Sequence, residues 1–165
     1  MDVMVVRHGI AMDRDEALER SIGDRDRPLT DKGSSRMNRI ADGLARRASG
    51  ISSIFSSPLR RAIETADILA KAYGKLARID TPALLPEADP DELVEILSHV
   101  PDSAVALVGH EPHLSGFVSW CLTGQRSPVL ELKKGGACLV RFDEAPRQNG
   151  GRLIWLAPPA LLRHI

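Results

Sequence analysis

An arginine, a histidine and a glycine follow one another directly after a short apolar run near the start of the chain. Residues 3–6 are too few and too β-branched for a helix and predict a buried strand that ends at Arg7-His8-Gly9. Side chains at the C-terminal end of a strand in an open α/β sheet face the crevice where ligands bind. The sequence therefore predicts a fixed cation beside a titratable nitrogen nucleophile. Alone, the tripeptide also fits a strand end with a solvated arginine and a hydrogen-bonded histidine.

Two further predicted strands end in unusual residues. Residues 51–56 lead into Ser57-Pro58, where Ser57 predicts a helix N-cap and Pro58 the first helical residue. Arg60 and Arg61 fall in the first turn of that helix. Free N–H groups beside two arginines are a favourable place for an anion. A short strand is predicted over residues 77–80, and a later strand, 104–108, is followed by Gly109-His110.

These residue types at three strand ends indicate phosphoryl chemistry. Arginines hold a tetrahedral dianion by bidentate hydrogen bonds. One neutral histidine can attack phosphorus and divide hydrolysis into two steps, while a second stabilises the charge of the transferring group. The chain carries no glycine-rich Walker loop and no HExxH. We therefore expect a phosphate site that uses no metal and no other cofactor.

The predicted elements must carry these residues to one edge of a sheet. Strand and helix alternate four times, and Thr30 and Asp89 are suitable N-caps for two of the helices. Residues 137–142 and 152–156 then predict two adjacent antiparallel strands. The expected fold is a three-layer α/β/α sandwich with a mainly parallel, doubly wound sheet and an antiparallel edge. The polar segment 10–27 is expected to be an irregular loop with a functional role.

Composition limits the classes of function. The 165 residues predict a single domain, and 22 basic against 22 acidic side chains argue against a nucleic-acid binder. Cys121 and Cys138 are isolated, which predicts buried thiols in a reduced compartment and no nucleophilic role. No apolar run is long enough to cross a membrane and no signal peptide precedes the first strand, so we expect a cytoplasmic protein.

Four segments together resemble the histidine phosphatase superfamily, and within it the small SixA-like phosphohistidine phosphatases. They span about two thirds of the chain in the family's order. The matching segments are Arg7-His8-Gly9-Ile10-Ala11, Arg27-Pro28-Leu29-Thr30 with Gly33, Ser57-Pro58-Leu59-Arg60-Arg61-Ala62-Ile63-Glu64-Thr65 and Val108-Gly109-His110-Glu111-Pro112.

The resemblance implies a phosphoglycerate mutase-like fold and a role for each matched residue. His8 would be the phosphorylated nucleophile and His110 its charge-stabilising partner. Arg7 and Arg61 would clamp the phosphate, since the family's motif places an arginine directly before the position of Ala62. In the SixA-like branch the arginine of the Arg-Pro-Leu-Thr motif also faces the phosphate, which implies Arg27.

The chain departs from the family's mutases and many of its phosphatases, which carry an insertion with a general-acid glutamate that this chain is too short to hold. Glu87, before the third predicted helix, is the nearest substitute, with Asp13 and Asp89 as alternatives. The leaving group of phosphohistidine is an imidazole of near-neutral pKa. The leaving group of an alkyl phosphate is a poor alkoxide that needs a proton. A weak or missing acid thus favours P–N bonds or activated esters as substrates.

Several residues also have ordinary structural interpretations. Ser57 fits a helix cap better than a catalyst, and Glu111 fits a partner of a helix dipole. Lys133-Lys134 is expected to be a solvated loop pair. His99, His113 and His164 are expected at the surface or at helix ends.

The preferred function is a metal-independent phosphatase that acts through phospho-His8 on phosphohistidine in a partner protein. A small phosphorylated metabolite, such as a sugar phosphate or nucleotide, is the alternative substrate. A non-catalytic phosphate-binding module is the alternative from a different class.

Overall fold

The structure is a computed structural model, and it describes residues 1–101 and 103–164. Its strands are β1 (Asp2–Arg7), β2 (Ser53–Ser56), β3 (Arg78–Asp80), β4 (Ala104–Gly109), β5 (Ala137–Arg141) and β6 (Arg152–Ala157). Its helices are α1 (Arg14–Glu19), α2 (Asp31–Arg47), α3 (Arg60–Ala72), α4 (Pro90–Ser98), α5 (His113–Thr123) and α6 (Pro159–Leu162), with 3-10 turns at Asp24–Asp26 and Pro82–Leu84.

The strands form one sheet in the order β3-β2-β4-β1-β5-β6. The first four strands in chain order run parallel, and β5 and β6 add an antiparallel edge. β4 lies between β2 and β1, and Arg7 pairs with Gly109 at the end of the ladder. This insertion brings the residues that follow β1 next to those that follow β4. The predicted α/β fold, with a mainly parallel sheet and an antiparallel edge, is confirmed.

Helices cover both faces of the sheet because its central strands are apolar on both sides. Met4 and Val6 of β1 pack with the buried faces of α2 and α3. Val3 and Val5 point the other way and pack with α4 and α5. All residues of β4 are buried, as expected for a central parallel strand. The two cores hold the strand ends at fixed relative positions.

Local capping follows the sequence at most helix ends. Thr30 caps α2 by accepting a hydrogen bond from the Gly33 N–H, and Asp89 caps α4 by accepting one from Asp91. α5 ends at Gly124, whose φ of +77° is the left-handed conformation that glycine adopts without strain. Within the described part of the chain, no helix combines the length and apolar character needed to span a membrane.

Two local predictions are wrong. The segment 10–27 is not irregular throughout, because it holds α1 and a 3-10 turn and is tied to the domain by hydrogen bonds such as that from Thr30 N to the Ile10 carbonyl. α3 does not begin at Pro58 but at Arg60, with Leu59 in the N-cap position. The Ser57 N–H still donates to the Val108 carbonyl at 2.9 Å, so the chain remains fastened to β4 there and turns into the helix two residues later.

Candidate active site

A cavity of about 400 Å³ opens beyond the C-terminal ends of β1 and β4. It is lined by the five residues predicted to attack or hold the phosphate: Arg7, His8, Arg27, Arg61 and His110. Five of the lining side chains are cationic and three are carboxylates, so the cavity favours an anion. The structure therefore brings together residues that are as far as 103 positions apart in the chain, between Arg7 and His110.

The ring of His8 is fixed in one tautomer by its own chain. His8 Nδ1 lies 2.7 Å from the carbonyl oxygen of Gly9. A carbonyl can only accept, so Nδ1 carries the proton and Nε2 keeps its lone pair. The peptide of Gly9 is held in turn by a 3.0 Å hydrogen bond from its N–H to Thr65 Oγ1. The result is a neutral imidazole with a nucleophilic Nε2.

His110 is oriented by Ser57. Its Nε2 lies 2.8 Å from Ser57 Oγ, while the same hydroxyl oxygen accepts a hydrogen bond from the N–H of Leu59 at 3.3 Å. A hydroxyl that already accepts from Leu59 has its proton available for His110 Nε2. In that arrangement His110 Nδ1 is protonated and is a donor. The sequence suggested a cap role for Ser57, whereas its hydroxyl sits against the imidazole of His110.

The two imidazoles lie against each other in a buried site. Their ring centroids are 4.9 Å apart, and His8 and His110 are 7% and 3% exposed. Burial lowers the pKa of His8 to about 3, and the charges of Arg61, Arg7 and Lys134 act in the same direction. Burial likewise lowers the pKa of His110, with a contribution from His8. Both rings are thus neutral at pH 7.

Arg7 and Arg61 are held by main-chain carbonyls. Arg7 NH1 donates to the Leu132 carbonyl at 2.7 Å, and Arg61 NH1 donates to the Asp24 carbonyl at 2.8 Å. The Nε atoms of both arginines are buried, and neither has a hydrogen-bond partner in the described residues. The buried Nδ1 of His110 is also without a partner there. Three buried donors on residues that line the cavity around His8 therefore lack a partner within the described part of the chain.

Arg27 joins this group from the segment before α2. Its NH1 donates to the Met12 carbonyl at 2.6 Å, and its Nε donates to Asp24 Oδ1 at 2.9 Å. Arg61 NH2 donates to the other carboxylate oxygen of Asp24 at 3.2 Å. Asp24 was not predicted from the sequence. Its role is indicated only by its contacts with Arg27 and Arg61, which the sequence does not show.

The acids named from the sequence separate into two groups. Asp13 lines the cavity and also caps α1 through a 2.9 Å hydrogen bond from the Asp15 N–H to its Oδ1. Glu87 is exposed in a turn and is not among the lining residues, although its neighbour Pro86 is. Asp89 caps α4 and lies 3.4 Å from Arg126 NH1, also outside the cavity lining. Of the three, only Asp13 is placed near His8.

Glu111 and Lys134 line the cavity although the sequence favoured structural interpretations for both. Glu111 Oε1 accepts a hydrogen bond from the Leu132 N–H at 3.2 Å, which fastens the loop that also holds Arg7. His113 lies at a helix end, as expected, because it begins α5. Its side chain is buried, and burial lowers its pKa.

The cysteines are buried free thiols, as predicted. Burial raises the pKa of Cys138 to about 12 and raises the pKa of Cys121 as well. Neither thiol is therefore activated as a nucleophile. Within residues 1–101 and 103–164, no three His, Cys, Asp or Glu side chains form a group suited to hold a metal ion.

Comparison with known proteins shows a similar sequence and the same fold. An uncharacterized protein of Picosynechococcus sp. is 36% identical over 149 residues, covering 88% of this chain and 87% of its own length. The protein histidine phosphatase SixA, solved with tungstate, superposes with a TM-score of 0.82 over 98% of this chain and 99% of its own, at 24% identity. A mycobacterial glucosyl-3-phosphoglycerate phosphatase has a TM-score of 0.69 at 18% identity, over 95% of this chain and 99% of its own.

The family model of the histidine phosphatase superfamily, branch 1, matches residues 3–93. That segment carries the Arg-His-Gly strand end, the Arg-Pro-Leu-Thr segment and the arginines of α3. The match covers more than half of the chain and agrees with the fold. The chain belongs to the histidine phosphatase superfamily.

Proposed function

We propose that this phosphatase of the superfamily acts without a metal, through a phospho-His8 intermediate, on phosphohistidine of a partner protein. One domain, residues 1–165, carries the activity. The observation that carries the proposal is the set of buried donors without partners around His8, namely Arg7 Nε, Arg61 Nε and His110 Nδ1. Buried polar atoms are normally hydrogen-bonded, and three unpaired donors beside a neutral imidazole suit the oxygens of a transferring phosphoryl group.

The reaction takes two displacements. His8 Nε2 forms a bond to phosphorus while the bond from phosphorus to the substrate nitrogen breaks, and the leaving imidazole departs neutral with a proton from solvent. Water then attacks phospho-His8 and releases inorganic phosphate and free His8. Arg7, Arg27, Arg61 and His110 balance the phosphoryl charge in both steps.

The position of the acids supports a P–N substrate. Glu87 lies outside the cavity lining, and Asp13 is engaged as the cap of α1. A leaving imidazole needs no strong proton donor, whereas an alkoxide does. The alternative substrate, a small phosphorylated metabolite, would need a proton from a residue such as Asp13.

A substrate comparison in the presence of a chelator tests the proposal. Wild type, His8→Ala and the exposed control His99→Ala would be incubated with a phosphohistidine peptide, an aryl phosphate and sugar phosphates, and phosphate release followed. We expect release from phosphohistidine far faster than from sugar phosphates by wild type and His99→Ala, and none by His8→Ala. An alkali-stable phosphoenzyme should be trapped on His8 at early times.

Other outcomes would overturn parts of the proposal. Fast, His8-dependent release from sugar phosphates would keep the mechanism and make small metabolites the substrate. Activity that disappears with the chelator would contradict the metal-free mechanism. Phosphate binding without His8-dependent release from any substrate would make the chain a binding module.

A further inference from the structure

We infer that Asp24 is a positioning residue that sets the orientation of two phosphate-clamping arginines, Arg27 and Arg61. The inference rests on the proposed function, because it assumes that these arginines hold the transferring phosphoryl group. Asp24 begins the 3-10 turn of residues Asp24–Asp26, in the segment between α1 and α2. The carboxylate acts on the substrate only through the two guanidinium groups.

The two carboxylate oxygens of Asp24 contact different clamp arginines, and Oδ1 also lies 3.8 Å from Nε of the exposed Arg14. Oδ1 accepts from Arg27 Nε at 2.9 Å and lies 2.8 Å from Arg27 NH2. Oδ2 accepts from Arg61 NH2 at 3.2 Å, and the main-chain oxygen of Asp24 accepts from Arg61 NH1 at 2.8 Å. Both terminal nitrogens of Arg61 are thus fixed by one residue, and its Nε is the donor left without a partner.

The charges explain why one carboxylate is needed there. The side chains of Arg27 and Arg61 are only 9% and 4% exposed, so two cations are buried close together. Burial lowers the pKa of Arg61, Asp24 opposes that shift, and the charge of Arg27 adds to it. Burial disfavours the charged form of Asp24, but the hydrogen bond from Arg27 and the charge of Arg61 hold its pKa below the ordinary value. Asp24 is therefore an ionised counterion shared by both arginines.

Asp24 does not occupy the place of the phosphate. Both arginines line the cavity that contains His8, but Asp24 is not among its lining residues. It lines a neighbouring groove instead, together with Leu18 and Ile22, and its side chain is 52% exposed. The carboxylate thus contacts the guanidinium groups from this neighbouring groove, outside the lining of the cavity that contains His8. A carboxylate in that position orients the clamp without competing for it.

The test compares Asp24→Asn with Asp26→Asn. Both variants remove one negative charge from the same 3-10 turn, but only Asp24 contacts Arg27 and Arg61. An asparagine can accept from one arginine only, because its NH₂ group repels the other. Small displacements of positioning groups cost up to about 100-fold in rate. We expect Asp24→Asn to lower kcat/KM for an aryl phosphate roughly 10- to 100-fold, while Asp26→Asn stays within about twofold of wild type.

Binding of inorganic phosphate, measured by calorimetry, gives a second measurement. We expect Asp24→Asn to bind phosphate at least several-fold more weakly than Asp26→Asn does. Asp24→Glu keeps the charge and should recover part of the loss. In an Arg61→Ala background, the Asp24→Asn change should cost much less phosphate affinity than it does in wild type, because the residue acts partly through Arg61. A purely structural defect would add the same factor in both backgrounds.

The inference would be overturned by equal phosphate affinities of Asp24→Asn and Asp26→Asn. Tighter phosphate binding by Asp24→Asn would also overturn it, since that result would make Asp24 a competitor of the phosphate. Failure of the proposed function is a separate outcome, because wild type would then show no His8-dependent phosphate release. A thermal melt of each variant shows whether it is folded at the temperature at which phosphate binding and kinetics are measured.

Discussion

His110 Nε2 and Ser57 Oγ lie 2.8 Å apart in the buried wall of the site. Ser57 is fully buried, and its hydroxyl also accepts from the N–H of Leu59. The hydroxyl proton is therefore directed to His110, which leaves Nδ1–H of that ring as the donor without a partner. The protonated atom that His110 offers to a phosphoryl oxygen thus depends on one serine directly after β2.

The first prediction concerns this serine. Ser57→Ala removes the group that fixes the tautomer of His110, so the ring presents a lone pair to the phosphoryl oxygens for part of the time. We expect kcat to fall on the order of 10-fold or more, since loss of one charge-stabilising donor costs up to about 10²–10³, with a smaller change in KM. Steady-state kinetics with an aryl phosphate would measure both parameters.

Ser56→Ala is the matched control. Ser56 is equally buried and immediately precedes Ser57, but its hydroxyl donates to the Ser57 carbonyl and does not touch His110. The control should keep most of the wild-type kcat. Equal losses in the two variants would show that the hydroxyl of Ser57 has no special relation to His110.

The second prediction concerns Lys134, which lines the cavity and is one of the charges that lower the pKa of His8. The loop is fastened beside His8, since the Gly135 N–H lies 3.1 Å from the carbonyl oxygens of both Arg7 and His8. We expect Lys134→Gln to raise KM for a phosphorylated substrate by roughly threefold to 10-fold at low salt, with the difference shrinking as salt screens the exposed charge.

Lys133→Gln provides the comparison for that prediction. Lys133 is the preceding residue and is also exposed, but it does not line the cavity. Its KM should remain near that of wild type. If both lysine variants changed KM by the same factor, the effect would come from the general charge of the loop and not from the position of Lys134.

Much of this arrangement could be predicted from the sequence, and the reasons are local. Strand ends at Arg7, Ser56 and Gly109 follow from short apolar runs, and the parallel order then places the following residues at one edge. Thr30 and Asp89 cap helices as their side chains predict. The mixed sheet and the superfamily are confirmed, while the catalytic roles of the individual residues remain predictions.

The sequence could not supply contacts between distant segments. Asp24 meets Arg61 across 37 positions, and Ser57 meets His110 across 53. Both pairs depend on how loops cross the sheet edge, which hydrophobic periodicity does not encode. The same limit applies to His113, whose burial depends on the elements that cover α5. Glu87 looked suitable as an acid by its position in the chain, but its turn leaves it exposed outside the cavity lining.

The third prediction follows from the depressed pKa of His8. The folded protein keeps His8 neutral down to about pH 3, whereas the unfolded chain protonates it near its ordinary pKa of 6.5. Unfolding therefore takes up a proton in this window, and the free energy of unfolding falls as the pH drops from about 6.5 to about 3. At pH 4.5 the contribution of His8 to this loss is about 2–3 kcal/mol.

Urea unfolding of wild type and His8→Gln at pH 7.0, 5.5 and 4.5 measures this effect. Glutamine does not titrate, so the variant should lose less stability than wild type over the same range. His110, whose pKa is also lowered by burial, continues to destabilise the variant at low pH. Parallel curves for the two proteins would contradict the predicted state of His8.

The last prediction concerns Gly33, in the first turn of α2. A Cβ at this position would lie 2.0 Å from the carbonyl oxygen of Ile10, and main-chain atoms cannot move aside as a flexible side chain can. Ile10 follows the Arg7-His8-Gly9 strand end, and its carbonyl also accepts from the Thr30 N–H. We expect Gly33→Ala to lower the free energy of unfolding by about 2–3 kcal/mol and to reduce kcat/KM, because the strain is transmitted to His8.

Gly50→Ala separates this clash from the general effect of replacing glycine. A Cβ at Gly50 meets no atom within 4 Å, so the free energy of unfolding should change by no more than about 0.5 kcal/mol. Urea unfolding and kinetics with an aryl phosphate would be measured for both variants. If Gly33→Ala were as stable and active as Gly50→Ala, the close approach of α2 to Ile10 could not be a constraint on the site. A stable but inactive Gly33→Ala would instead show that the strain is borne by the segment that carries His8.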